Sequence, residues 1–96
     1  MDVCIKLIHP GDTRDQDEKR TIFAEAQPVG RDEFLKTGEK GFKGLRKFVV
    51  WASEYRQETE VECEGQRLSI YRTYGPTQDD KIELYAAERI GTNGRS

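Results

Sequence analysis

Histidine, cysteine and proline are scarce in this chain, which holds one, two and three of them. The single histidine, His9, stands beside Pro10. A general base needs a positioned partner, so His9 reads as a surface residue at a strand end. No phosphate-binding glycine loop, dinucleotide fingerprint or GxSxG turn occurs, which removes the common catalytic signatures. The chain is therefore expected to be no enzyme and to hold no cofactor and no metal. Cys4 and Cys63 lack zinc-ligand spacing and are too few for a disulfide framework. Both lie in alternating apolar runs, where a buried free thiol is the expectation. The adjacent carboxylates Asp79 and Asp80 read as turn chemistry, because a calcium loop needs several more oxygens at fixed spacing. No apolar run approaches the ~20 residues of a membrane span, and no secretory leader pattern opens the chain. A soluble protein of a reducing cytoplasm is the expectation, with no membrane partner.

What is abundant is charge. Of the 96 residues 35% are charged and 34% hydrophobic, with 16 basic and 18 acidic side chains and a net charge of −2. Near-neutrality gives no overall pull towards nucleic acid. The length allows one domain, and the small apolar fraction suits a domain that gains stability by associating.

The periodicities organise this domain around residues 67–88 (RLSIYRTYGPTQDDKIELYAAE). Two apolar runs, 68–74 and 82–87, carry strand-forming Ile, Tyr, Leu and Thr. Between them Gly75, Pro76, Thr77, Gln78, Asp79 and Asp80 form a loop cluster. Upstream, residues 1–8 read as a first strand stopped by His9, Pro10 and Gly11. Residues 12–20 are polar throughout and read as a solvated, mobile loop. Residues 21–27 return as a strand. Asp32 reads as the N-cap of a short helix from Glu33 to about Lys40, with Gly41 beyond its end and Phe34 and Phe42 as anchors. Residues 45–53 form the densest apolar stretch and read as a central strand, followed by a polar turn at 54–57. Residues 59–63 alternate, and Glu64-Gly65 is a two-residue hairpin turn. The order is strand, loop, strand, helix, then four strands. This predicts a mainly β fold, a small antiparallel β-barrel or rolled sheet of about six strands with one short inserted helix. It spans 1–91 as a single domain, with a long loop at 10–20 and a polar tail at 92–96.

Two side-chain groups stand out. Lys36, Lys40, Lys43, Arg46 and Lys47 form a basic cluster that can contact an acidic neighbouring subunit or phosphates, or serve as a solvated helix face. Simple alternation puts Arg72 on the face of Leu68 and Ile70, where an unpaired cation is costly. A carboxylate such as Glu83 on the adjoining strand, or one on another subunit, is its expected partner.

The run 68–74 (LSIYRTY), followed by 80–85 (DKIELY), resembles the tailed-bacteriophage head-tail joining family, whose members are also called head closure, head completion or head-tail adaptor proteins. Phe23-Ala24-Glu25-Ala26 resembles that family's W-A-E-V strand, Arg31-Asp32-Glu33-Phe34 the start of its helix, and 60–65 its hairpin. The chain departs from the pattern at Phe23, where Trp is frequent, and at Asp32, where Ser or Thr caps the helix. The resemblance implies a structural virion protein, a small barrel docked as a ring below the portal and its adaptor. Such a ring closes the DNA-filled capsid, can contact the packaged DNA, and offers a platform to tail completion proteins. It implies assembly in the bacterial cytoplasm and residence in the virion. It also makes the loop bearing Asp12, Arg14, Asp15, Asp17, Glu18, Lys19 and Arg20 the candidate channel stopper. The competing reading is an OB-like barrel that stacks single-stranded bases on Trp51, Tyr71 and Tyr74 and holds phosphates with the basic cluster.

Overall fold

A computed structural model describes residues 2–38 and 42–89 of the chain. Six strands form one closed antiparallel barrel: β1 (Asp2–His9), β2 (Glu18–Gln27), β3 (Phe42–Trp51), β4 (Glu60–Cys63), β5 (Gln66–Tyr74) and β6 (Lys81–Arg89). Around the barrel the order is β1-β2-β3-β6-β5-β4, with β4 closing against β1. One helix, α1 (Arg31–Gly38), joins β2 to β3. Short 3-10 turns occupy Arg14–Gln16 and Ala52–Glu54. The expected small barrel with one inserted helix is what forms. Lys40, Gly41 and the tail 92–96 lie outside the described residues.

Closure follows from the period-two pattern. Ile5, Leu7, Ala24, Phe48, Val50, Val61, Cys63, Leu68, Ile82, Leu84 and Ala86 point inward from all six strands into one cluster. Their neighbours in sequence face outward. On β1 this leaves Cys4 and Lys6 exposed. Only Cys63 is therefore the buried thiol that the alternating runs predicted, and Cys4 is exposed.

Local chemistry fixes the connections. Cys63 pairs with Gln66 across Glu64 and Gly65, whose φ values of 54° and 80° build the tight hairpin turn read from the sequence. In β3 the register slips between Lys43 and Arg46 beside Gly44, at φ 63°. Glycine holds that conformation without a steric cost. The Asp79-Asp80 turn is closed by backbone contacts, Asp80 N–H donating to the Thr77 carbonyl at 3.0 Å and Ala52 N–H to the Asp80 carbonyl at 2.7 Å.

Boundaries move in two places, and one expected anchor does not pack. The helix begins at Arg31 rather than Glu33, with Phe34 N–H bonded to the Gly30 carbonyl at 3.0 Å. Phe34 is no anchor, for it is 59% exposed. The largest change is in the loop. Glu18, Lys19 and Arg20 pair with His9, Ile8 and Leu7 as the first rungs of β2, which shortens the loop to residues 10–17.

Candidate interaction surfaces

Four of the sequence-derived groups can be placed. The first is the loop. Its described side chains are exposed apart from Asp17, which folds back onto the start of the loop and onto the barrel. Asp17 Oδ1 accepts the Gly11 N–H at 2.9 Å, and its Oδ2 lies 2.9 Å from Arg67 Nη1. Arg67 also pairs with Glu60, and Lys19 reaches Glu62 at 3.5 Å. Gln16 Oε1 accepts the Asp12 N–H at 3.1 Å. The loop is thus a clasped arch tied to β4 and β5, with Asp12 and Asp15 exposed at its tip. Arg14 lies in the 3-10 turn of the arch. The loop is as solvated as its polar run predicts, but it is not free of contacts, since a carboxylate and an arginine 50 residues away close it.

The Gly11 N–H and then the Arg67 guanidinium hold the Asp17 carboxyl below the usual carboxylate range. A folded value depressed in this way makes the clasp fully effective above the unfolded carboxylate value. Its contribution is lost as the pH falls through the folded value. Amide exchange at Gly11 and across 12–16, corrected for intrinsic rates, is therefore expected to accelerate only on the acid side. Asp17→Asn should open the arch at neutral pH as well. Unchanged protection in that variant would mean that other contacts hold the arch.

Arg20 and Glu58 form a second tie that sequence reasoning missed. Glu58 is the one buried charged residue among those described, 1% exposed. Its Oε2 accepts from Arg20 Nε at 2.9 Å, and its Oε1 from the Arg56 N–H at 2.8 Å. Burial alone pushes its carboxyl up, but the Arg56 N–H and the Arg20 guanidinium outweigh burial and hold it down.

Among the described side chains the basic cluster does not assemble as one patch. Lys36 is exposed on α1, Lys40 lies outside the described residues, and Lys43 is a backbone rung of β3 opposite Glu88. Arg46 and Lys47 are consecutive on a strand and so point to opposite faces. Arg46 turns inward at the barrel end, 3.7 Å from Cys63 Sγ and over the Phe48 ring at 5.4 Å. Lys47 faces out, 3.6 Å from Glu83 and over Tyr85 at 5.7 Å.

Arg72 does not pair with Glu83. The β5–β6 register steps from Ile70↔Ala86 to Arg72↔Tyr85, so Tyr71 is an extra residue on β5. This bulge turns Arg72 from the core face to the outer face. There its guanidinium stacks on Tyr85 at 3.8 Å and grips Glu33 of α1, with Nη2 2.6 Å from Oε1. Tyr71 donates its hydroxyl to the same carboxylate at 2.7 Å. Glu83 is engaged instead by Lys47 and by the Tyr85 hydroxyl. Two residues of the LSIYRTY run thus lock the helix onto the barrel.

The aromatic residues divide likewise. Tyr71 is engaged beneath α1, whereas Tyr74 and Trp51 are 60% and 53% exposed. Lys81 lies 5.1 Å over the Trp51 ring. Phe23, which the strand pattern alone did not flag, is 75% exposed on β2 and lines a shallow groove with Trp51, Asp2, Glu25 and Lys81. Among the described residues, no three His, Cys, Asp or Glu side chains gather where a metal could bind. No described helix is long and apolar enough to cross a membrane. Comparison with protein-family models, with curated proteins and with solved structures finds no match for the chain.

Proposed function

We propose that the chain is a structural subunit of a tailed-phage head-tail connector, docking as a ring below the portal-bound adaptor, closing the filled capsid and carrying the tail. It acts by occupying a place in an assembly and catalyses nothing. Its partners are the adaptor, tail completion proteins, neighbouring copies of itself and, at the channel, packaged DNA. It assembles in the bacterial cytoplasm and remains in the virion.

The observation that carries this reading is the amount of large apolar side chain left in water by so small a barrel. Phe23, Trp51 and Tyr74 on the sheet, with Phe34 and Leu35 on the helix, are each more than half exposed. A lone domain with a small core gains little from such a surface, and an assembly subunit uses it. The residues that carry the family resemblance support it as well, since Tyr71, Arg72 and Tyr85 hold the helix in place.

Electron microscopy of DNA-filled capsids assembled with and without the protein tests the proposal. A ring of new density below the portal, together with full heads, is expected. Capsids that look the same in both preparations, with the protein left in solution, would defeat it. The pairing of Trp51 with Lys81 favours single-stranded nucleic-acid binding as the second reading. Such binding would weaken steeply with added salt, and its absence at low salt would remove that reading.

A further inference from the structure

Two apolar surfaces of this chain are complementary in charge. On the sheet, Phe23 and Trp51 lie on the outer face of β2 and β3. Beside them Asp2 and Glu25 stand directly opposite one another across β1 and β2. Like charges directly opposite destabilise a strand pair, and among the described residues neither carboxylate has an ion-pair partner. On α1, the spacing of Arg31, Phe34 and Leu35 puts them on one helix face, and all three are exposed. Arg31 likewise has no carboxylate partner among the described residues.

We propose that a second copy of the chain seats this helix face on the sheet groove, its Phe34 and Leu35 against Phe23 and Trp51 and its Arg31 between Asp2 and Glu25. The charges select the arrangement. With Lys81 over the Trp51 ring the groove still carries two carboxylates to one lysine. Sheet against sheet would therefore oppose two net-negative patches, and helix against helix would oppose two arginines. Helix against sheet pairs them, relieves the Asp2–Glu25 repulsion and covers both apolar surfaces. Because the two patches differ, the contact is head-to-tail and propagates from copy to copy, as rings and filaments require. The inference rests on the connector reading only for closure into a ring, and the contact itself is a property of the purified chain.

The chain carries its own probe. Cys4 is exposed and sits opposite Phe23, while Cys63 is buried. Lys36→Cys places a second thiol beside the helix face without altering the proposed contact. With a short bismaleimide at high protein concentration, Lys36→Cys should give a ladder of dimers, trimers and longer species, at least about tenfold above the wild type. The wild type, with Cys4 alone, can give no more than dimers. Adding Cys4→Ser should abolish the ladder. Arg31→Glu should lower its yield by about tenfold, and Glu25→Arg in the same chain should restore it, a rescue that a folding defect would not show.

Adducts limited to dimers, a yield no higher than the wild type's, or a loss that the charge swap does not restore would each overturn the contact. That includes the case in which a different protein covers these faces. A ring at the capsid vertex without a ladder would defeat this contact and leave the connector reading standing. A ladder without any density at the vertex would do the reverse.

Discussion

Replacing Glu58 by alanine should destabilise the barrel by about 2–4 kcal/mol, a large share of the stability of a small domain. The side chain is 1% exposed, and its carboxylate is held by donors from two parts of the chain. Arg20 reaches it from β2 and the Arg56 N–H from the segment before β4. The Tyr55 hydroxyl fixes the same turn by donating to the Glu58 carbonyl at 2.7 Å. Alanine leaves a guanidinium that is 28% exposed without its carboxylate and strands a backbone donor. Removing one member of a buried pair costs more than removing both. The double replacement Arg20→Leu with Glu58→Leu should therefore recover part of the loss. The stabilisation also has a pH signature. With the folded carboxyl value depressed, it is complete above the unfolded carboxylate value and disappears as the pH falls through the folded one. Urea unfolding followed by Trp51 fluorescence measures both variants against the unaltered chain. A loss below ~1 kcal/mol would put this pair with ordinary surface salt bridges.

Most of the architecture was legible because strands advertise themselves by period. Ile5 and Leu7, Val61 and Cys63, Ile82 and Leu84 mark the inner face in the sequence as they do in the barrel. What stayed hidden depends on single-residue slips and on distant partners. Arg72 was assigned to the core face by counting twos from Leu68, and one bulge residue, Tyr71, reverses that count. Arg46 and Lys47 look like one patch in a linear reading, although strand geometry sends them to opposite sides. The loop looked free because Asp17 has no local mate. Its partners are Gly11, across the arch, and Arg67 on β5. The exposed aromatics were half legible. Trp51 was singled out, but Phe23 and Phe34 were assigned to a strand and an anchor. Phe23 had no face assigned to it and Phe34 was expected to pack, yet both stand in water on the outer surface.

Shortening the arch should separate folding from function more sharply than any point substitution. Asp17 and Gly11 close it and Arg67 ties it to β5, so excision of 12–16 with a glycine bridge leaves these contacts in reach and removes only the exposed tip. A loop change of this size alters closure entropy by well under about 1 kcal/mol, so the urea midpoint should stay close to that of the full chain. On the connector reading, capsids carrying the shortened chain should still show the ring but lose packaged DNA, with the largest functional effect of any variant considered. Asp17→Asn should give an intermediate leak, because it keeps the tip but unfastens it. The order full chain, Asp17→Asn, excision in retained DNA is the expected result. Equal DNA retention by all three would remove the stopper role from this loop, and a ring that fails to form would instead place the loop in the contact with the adaptor.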